Sequence, residues 1–473
     1  MHKLAFLFGV IYSGLVCIFL LYTGNKTHSF EKFIAVLFLL ALLHFLLSIR
    51  NPKYTNIFII NCMVSIFAVY AADLYLAKKH NKMKVKFSSQ ANSRAISDTA
   101  NKIGIEFDAR TKSQVITDLR NEGIDAVPFI PIGEFLRYED KSGEYKSSIE
   151  INGRSVMPLN GIGGNRSVVV CNERGDWWVY HGDRYGFNNP DRIWEEETID
   201  ILFVGDSYPH GSCLNGNKAF PDLVRKSFPL TLNLGWGSSG PLAYLGNIKE
   251  YGNVIKPKIV VFCFFEGNDL VGLEKFKRSP LLKYIDEGYK QELIELSSQL
   301  DAYLQPQIEK KIIEVEIIRA QKKSRSQPNA GNEQIKKSEN FDFANWLVLK
   351  HSLNKTWPKK NFLPDYDLFS EILQAANREV SAWGGKLIFL YLPAQREIPY
   401  QAFSEVRRKV PQLVQNLEIE YVSALDFFKA QNRTAAQVHD HLFSHMSEEG
   451  HKIIAEALVS YLRTNSYLQG GQQ

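Results

Sequence analysis

The 473-residue sequence has few cysteines, five in all, and a chain of this length cannot be a disulfide-stapled scaffold on so few. It also has little net charge. Lys plus Arg is 56 and Asp plus Glu is 51, a formal balance of +5, and without a strong basic excess a dedicated nucleic-acid binder is not expected. No internal repeat is found. No Gly-x-Ser-x-Gly elbow, Walker loop or Gly-x-Gly-x-x-Gly turn is expected after a strand, which sets aside the standard α/β-hydrolase, nucleoside-triphosphatase and dinucleotide-binding readings. The composition, 45% hydrophobic and 23% charged, excludes a disordered chain, a collagen or a coiled coil.

Long hydrophobic runs are confined to the N-terminus. Leu4–Tyr22 gives 19 residues without a charge, Phe33–Ile49 gives 17 with His44 the only ionisable side chain, and Ile57–Ala72 gives 16 before Asp73. Each approaches the ~20 residues needed to cross a bilayer, so residues 1–76 are expected to form a three-span transmembrane anchor. The first run is too long for a signal-peptide core. Charge points two ways on orientation. Lys78, Lys79, Lys82, Lys84 and Lys86 follow the last run and by the positive-inside rule favour a cytoplasmic domain. The short basic N-terminus favours the opposite.

Residues 77–149 read as a stalk or linker with one amphipathic helix over Lys112–Leu119, where apolar residues recur every three to four positions. Residues 150–198 read as a β-rich lead-in. Ser167–Cys171 and Trp177–Tyr180 flank Glu173-Arg174-Gly175-Asp176, a hairpin signal. Gly161–Gly164 precedes no helix and reads as a turn.

From Ile199 an α/β pattern begins. Ile199–Val204, Leu230–Leu234, Lys258–Phe265 and Lys386–Leu392 are near-continuous apolar runs, as expected of strands buried on both faces of a parallel sheet. Helical stretches separate them, as crossovers require. Residues 275–380 differ in character and are expected to hold an inserted helical cap.

Val204-Gly205-Asp206-Ser207 ends the first of these strands, where open α/β sheets bind ligands. A serine there needs a base for its proton and donors for an oxyanion. Three further blocks follow: Asn233–Pro241, Glu266-Gly267-Asn268-Asp269, and His445–His451 leading into a helix. In this order at strand ends the four blocks resemble those of the SGNH (GDSL-like) hydrolase family, over roughly residues 199–465. The resemblance implies a three-layer, flavodoxin-like α/β domain with a parallel sheet. It implies Ser207 as nucleophile, His445 as base, and Asn268 and the Ser207 N–H as oxyanion donors. A third donor falls at Ser238, where the family has glycine. The family's aspartate, three residues before the histidine, is replaced by Leu442. That leaves either Asp440 or a backbone carbonyl to orient the imidazole.

His441 and His445 are four apart, but no glutamate follows His441 as in zinc proteases, and neither metal nor cofactor is expected. Cys171 and Cys213 lie near turn residues and close to the nucleophile's loop, which leaves open a disulfide or two free thiols. The function implied is a membrane-anchored serine esterase or O-acyltransferase acting on acyl, chiefly acetyl, esters of a cell-envelope glycan through an acyl-Ser207 intermediate. Its expected partners are the acylated glycan or acyl donor, the lipid bilayer and a membrane partner protein. Its expected place is the bacterial cytoplasmic membrane, with the catalytic domain outside. The alternative is a catalytically weak glycan-binding or scaffolding subunit of a membrane polysaccharide assembly.

Overall fold

The computed structural model describes residues 106–140, 142–325, 364–394, 401–439 and 445–468. The three apolar runs before residue 76 lie outside the described residues, as does Asp440. No helix among the described residues is long and apolar enough to cross a membrane.

The described chain opens with α1 (Lys112–Asn121), started by a capping box in which Thr111 and Gln114 satisfy each other's backbone N–H. β1 (Ala126–Pro128) follows, then two small hairpins, β2 (Leu136–Glu139) with β3 (Glu144–Ser147) and β4 (Glu150–Ile151) with β5 (Arg154–Ser155). β6 (Ser167–Cys171) pairs parallel with β1 and antiparallel with β7 (Trp178–His181). Val115 and Ile116 of α1 pack with Ala126 and Val169 in a small core of their own. The helix from the expected linker is thus part of this layer. The β6–β7 register shifts between Val169 and Cys171, a bulge that re-aims the end of β6 and the turn beyond it.

The larger layer is built on five strands. β8 (Ile201–Val204) leads to a short α2 (Ser207–His210), α3 (Phe220–Arg225) and β9 (Thr231–Asn233). α4 (Pro241–Asn247) precedes β10 (Ile259–Phe265), and α5 (Asp269–Phe276) follows it. α6 (Leu293–Arg325) and α7 (Tyr366–Ala382) come before β11 (Lys386–Leu392). α8 (Gln401–Asn416), β12 (Glu420–Ser423), α9 (Ala424–Ala430) and α10 (Glu448–Thr464) complete the order. The strands run β12-β11-β10-β8-β9 and all pairs are parallel. Read along the chain, this is the flavodoxin-like arrangement, in which the order reverses between the first and third strands.

Alternating side chains commit each face to a helical layer. Ile201, Phe203, Val261, Cys263, Ile388 and Leu390 join Phe220, Val224, Ile454 and Leu458 in one core. On the other face Phe262 packs on Tyr244 of α4, and Phe264 on Phe369 of α7. Each such ring, wholly removed from water, contributes about 2–3 kcal/mol. α7 therefore covers the sheet directly, although it falls within the stretch expected as an inserted cap. α6 is fastened instead to the lead-in. Asp301 accepts from the Gly163 N–H at 2.8 Å, and Arg120 makes a two-pronged pair with Glu309 at 2.8 and 2.9 Å.

Candidate active site

Ser207 begins α2 at the C-terminal end of β8, and Asn268 is the residue before α5, just past β10. β8 and β10 are the adjacent strands at which the order reverses, so the two residues flank the crevice where ligands of such sheets bind. The approach to Ser207 depends on Gly205. A Cβ there would lie 2.5 Å from Pro209 Cγ and 2.9 Å from Cys263 Cβ, so only glycine lets the chain turn this tightly against β10.

Asp206 is wholly buried and holds the turn together. Its carboxylate accepts from the Tyr208 N–H at 3.0 Å, the Asn268 Nδ2 at 3.3 Å and the Ser207 hydroxyl at 3.5 Å. Burial pushes its pKa above the ordinary aspartate value, against those hydrogen bonds and the nearby His445. Asp269, also buried, is pushed up further by burial and by the neighbouring Asp206. It accepts from Tyr244 Oη and the Phe265 N–H. This second acid ties α5 to β10 and α4 and so places Asn268.

The loop after β9 is pinned by side-chain amides. Asn189 clamps the Asn233 backbone, donating to its carbonyl and accepting its N–H, both at 2.9 Å. Asn233 in turn donates to the Pro209 carbonyl at 2.7 Å and accepts the Gly235 N–H at 2.9 Å. The Trp236 N–H reaches the Gly205 carbonyl at 3.0 Å. Contrary to the expectation that no such turn follows a strand, Gly235-Trp236-Gly237-Ser238-Ser239-Gly240 has the spacing of a dinucleotide-binding turn between a strand and a helix, but the space is filled. A Cβ on Gly235 would lie 2.5 Å from the His210 backbone nitrogen, and one on Gly237 3.1 Å from Phe129 Cζ. Ser238 is exposed and adopts φ 61°, the left-handed conformation that glycine takes without strain. The serine therefore keeps the loop shape that a glycine would give.

His445 stands on the connection into α10. His439 forms an isolated antiparallel bridge with Met446, the residue after His445. His439 is buried and donates from Nδ1 to the Ala435 carbonyl at 2.6 Å, so its Nε2 accepts from Tyr208 Oη at 3.0 Å. Burial lowers its pKa. His445 itself is bound at Nδ1 by Glu173 Oε2 at 2.8 Å. The partner is a glutamate from the β6–β7 turn, on the lead-in. Arg174, next in that turn, donates to the Met446 carbonyl at 2.6 Å. With Nδ1 donating to a carboxylate, Nε2 is the unprotonated atom, as a general base requires. No hydrogen bond joins Ser207 to His445 in this structure. Such bonds are often long or absent before substrate binds.

Sequence reading did not find Glu173. It lies 272 positions from His445, and its turn was legible only as a hairpin. Cys171 and Cys213 are joined as a disulfide, and Cys263 is free and buried. The Cys213 sulfur lies with Glu173 and His445 in a group whose candidate ligand atoms are within 4.8 Å of one another. Since Cys213 is disulfide-bonded, it has no thiolate to offer a metal.

Neither a known family model nor a curated protein matches the sequence. Among solved structures, the chain is similar to a catalytic mutant of Axe2, an acetylxylan esterase from Geobacillus stearothermophilus. The match has 12% identity over 59% of this chain and 100% of that chain, with a TM-score of 0.31. It is also similar to the lipase/acylhydrolase from Enterococcus faecalis, at 12% identity over 58% of this chain and 100% of that chain, with a TM-score of 0.32.

Proposed function

We propose that this chain is a membrane-anchored serine esterase or O-acyltransferase of the SGNH type, acting on acyl esters of a cell-envelope glycan. The observation that carries the reading is the 2.8 Å bond between Glu173 and His445 Nδ1, beside a strand-end serine. A histidine held in this tautomer by a carboxylate is the arrangement a serine nucleophile needs.

In the proposed reaction His445 Nε2 takes the Ser207 proton as Oγ attacks the acyl carbonyl, and Glu173 stabilises the imidazolium. Asn268 Nδ2 leaves its 3.3 Å bond to Asp206 and donates to the oxyanion, together with the Ser207 N–H and the Ser238 turn. His445 then protonates the leaving sugar oxygen. The acyl-Ser207 intermediate passes its acyl group to water in an esterase, or to a second sugar hydroxyl in a transferase.

The Cys171–Cys213 disulfide supports a domain outside the cytoplasm, where such bonds persist. With three spans the N-terminus would then be cytoplasmic, as its short basic character favours. The glycan substrate and a membrane partner protein rest on the sequence resemblance. Incubating the full-length chain with an O-acetylated envelope polysaccharide and measuring acetate release and acetyl transfer tests the reading. Turnover lost in Ser207→Ala supports it. An unchanged rate in Ser207→Ala rules out Ser207 as the nucleophile, and no turnover by the folded wild-type chain favours a binding or scaffolding role.

A further inference from the structure

Every catalytic group but one is carried by the five-stranded layer. Ser207 follows β8, Asn268 follows β10 and His445 precedes α10. Glu173 alone comes from the lead-in, on the turn after β6, where a bulge interrupts the pairing. The turn must therefore be held against the other layer for the Glu173–His445 bond to exist.

Both non-covalent and covalent ties hold it there. Glu173 and His445 have side chains 27% and 20% exposed, and a single partly exposed hydrogen bond does not by itself fix a turn. Arg174 donates to the Met446 carbonyl, and Trp178 and Tyr180 beyond the turn pack on His210 of α2. Asn172 and Gly175 bond to the backbone of Asp108, just ahead of α1, rather than to the sheet layer. The covalent tie is the disulfide. Cys171 ends β6 two residues before Glu173, and Cys213 follows Ser207 by six residues. Cys213 is buried, with φ 64°, three residues past the end of α2 at His210. The bridge thus joins the turn bearing Glu173 to the segment bearing Ser207.

We infer that the Cys171–Cys213 disulfide is a positioning element that clamps Glu173 onto His445, so that the base works at full rate only while the bond is oxidised. This rests on the proposed serine mechanism. A dithiol reductant would deliver two electrons and two protons to the bridge, giving two cysteine thiols and its own disulfide. The turn would then be held only by non-covalent contacts, its hydrogen bonds and the packing of Trp178 and Tyr180 on His210, and His445 would lose the fixed position of its orienting carboxylate. Reoxidation by a disulfide such as oxidised glutathione would restore it.

The test measures the rate of fluorophosphonate modification of Ser207 in the full-length chain, oxidised and after dithiothreitol. Alkylation and mass analysis count the free thiols, and near-ultraviolet circular dichroism confirms that the fold persists. The reduced chain should react about tenfold more slowly or worse, and recover on reoxidation. Glu173→Gln should be slow when oxidised and no slower when reduced, because both changes act through one contact. Global loosening would slow the variant further, which overturns the inference. Equal rates in oxidised and fully reduced wild type also overturn it, while leaving the serine mechanism standing. An oxidised chain that does not react at Ser207 overturns the mechanism and the inference together.

Discussion

Glu173 and His445 are separated by 272 positions and joined by a 2.8 Å hydrogen bond to Nδ1. The pair crosses from the lead-in to the sheet layer, so the base of the proposed reaction is completed only when both are folded. It also gives a carboxylate to a histidine that has Leu442 three residues upstream, where the family its motifs resemble has aspartate.

Glu173→Gln is expected to lower kcat by about 10²–10⁴, since the imidazolium loses its counter-charge while the geometry is kept. Asp440→Asn should leave kcat within a few-fold of wild type. Steady-state kinetics on a chromogenic acetate ester decides between the two. Loss of activity in Asp440→Asn with retention in Glu173→Gln would reassign the orienting role.

Asn268→Ala is expected to cost about 10²–10³ in kcat, the usual loss for one oxyanion donor. Asn268 is exposed and its bond to Asp206 is 3.3 Å long, so the unfolding midpoint should move little. A KM increase with kcat unchanged would place the amide in substrate binding instead.

Gly205→Ala is expected to destabilise the fold by about 1–3 kcal/mol through overpacking, because the added methyl meets Pro209 and Cys263 at 2.5 and 2.9 Å. It should also displace Ser207 and abolish turnover. Urea unfolding and activity are the measurements. A stable, active variant would show that the turn is not tightly packed.

The blocks at Ser207, Asn268 and His445 were legible in the sequence because each sits at a strand end or helix start, where local pattern and position coincide. The strands over Ile199–Val204, Lys258–Phe265 and Lys386–Leu392 were legible because sheet burial on both faces leaves unbroken apolar runs. β12 was not. Its four residues, Glu420–Ser423, lie at the sheet edge and are half polar. Glu173 was hidden for a different reason. Its role is a long-range contact between layers, and nothing in the hairpin's own pattern distinguishes it from a solvated turn residue. The Gly235–Gly240 spacing matches a phosphate-binding turn, yet the space is taken by Phe129, Pro209 and His210. Spacing alone does not reveal what fills a loop.

Acid stability should depend on His210. It is buried among Phe129, Trp178, Tyr180 and Trp236, with Nδ1 on Ser212. Burial pushes its pKa down from 6.5 to about 3. The unfolded chain therefore binds a proton that the folded chain refuses between those limits. This contribution is complete above about pH 6.5 and is lost as pH falls, at about 1.4 kcal/mol per unit. His451 acts in the same direction. Asp183, pushed by burial up to about 6, acts oppositely between its unfolded value and pH 6, so the wild-type curve alone is not diagnostic. His210→Phe isolates the term. Between pH 6.5 and 4 the wild type should lose about 3 kcal/mol relative to the variant. Parallel urea-unfolding curves for the two proteins would show that His210 is protonated in the fold.

The most direct measurement is fluorophosphonate labelling of the oxidised full-length chain, with the modified peptide identified by mass. The account predicts stoichiometric modification at Ser207, none in Ser207→Ala, and a strongly reduced rate in Glu173→Gln. A folded, oxidised chain that stays unmodified, or labelling that persists in Ser207→Ala, would contradict it.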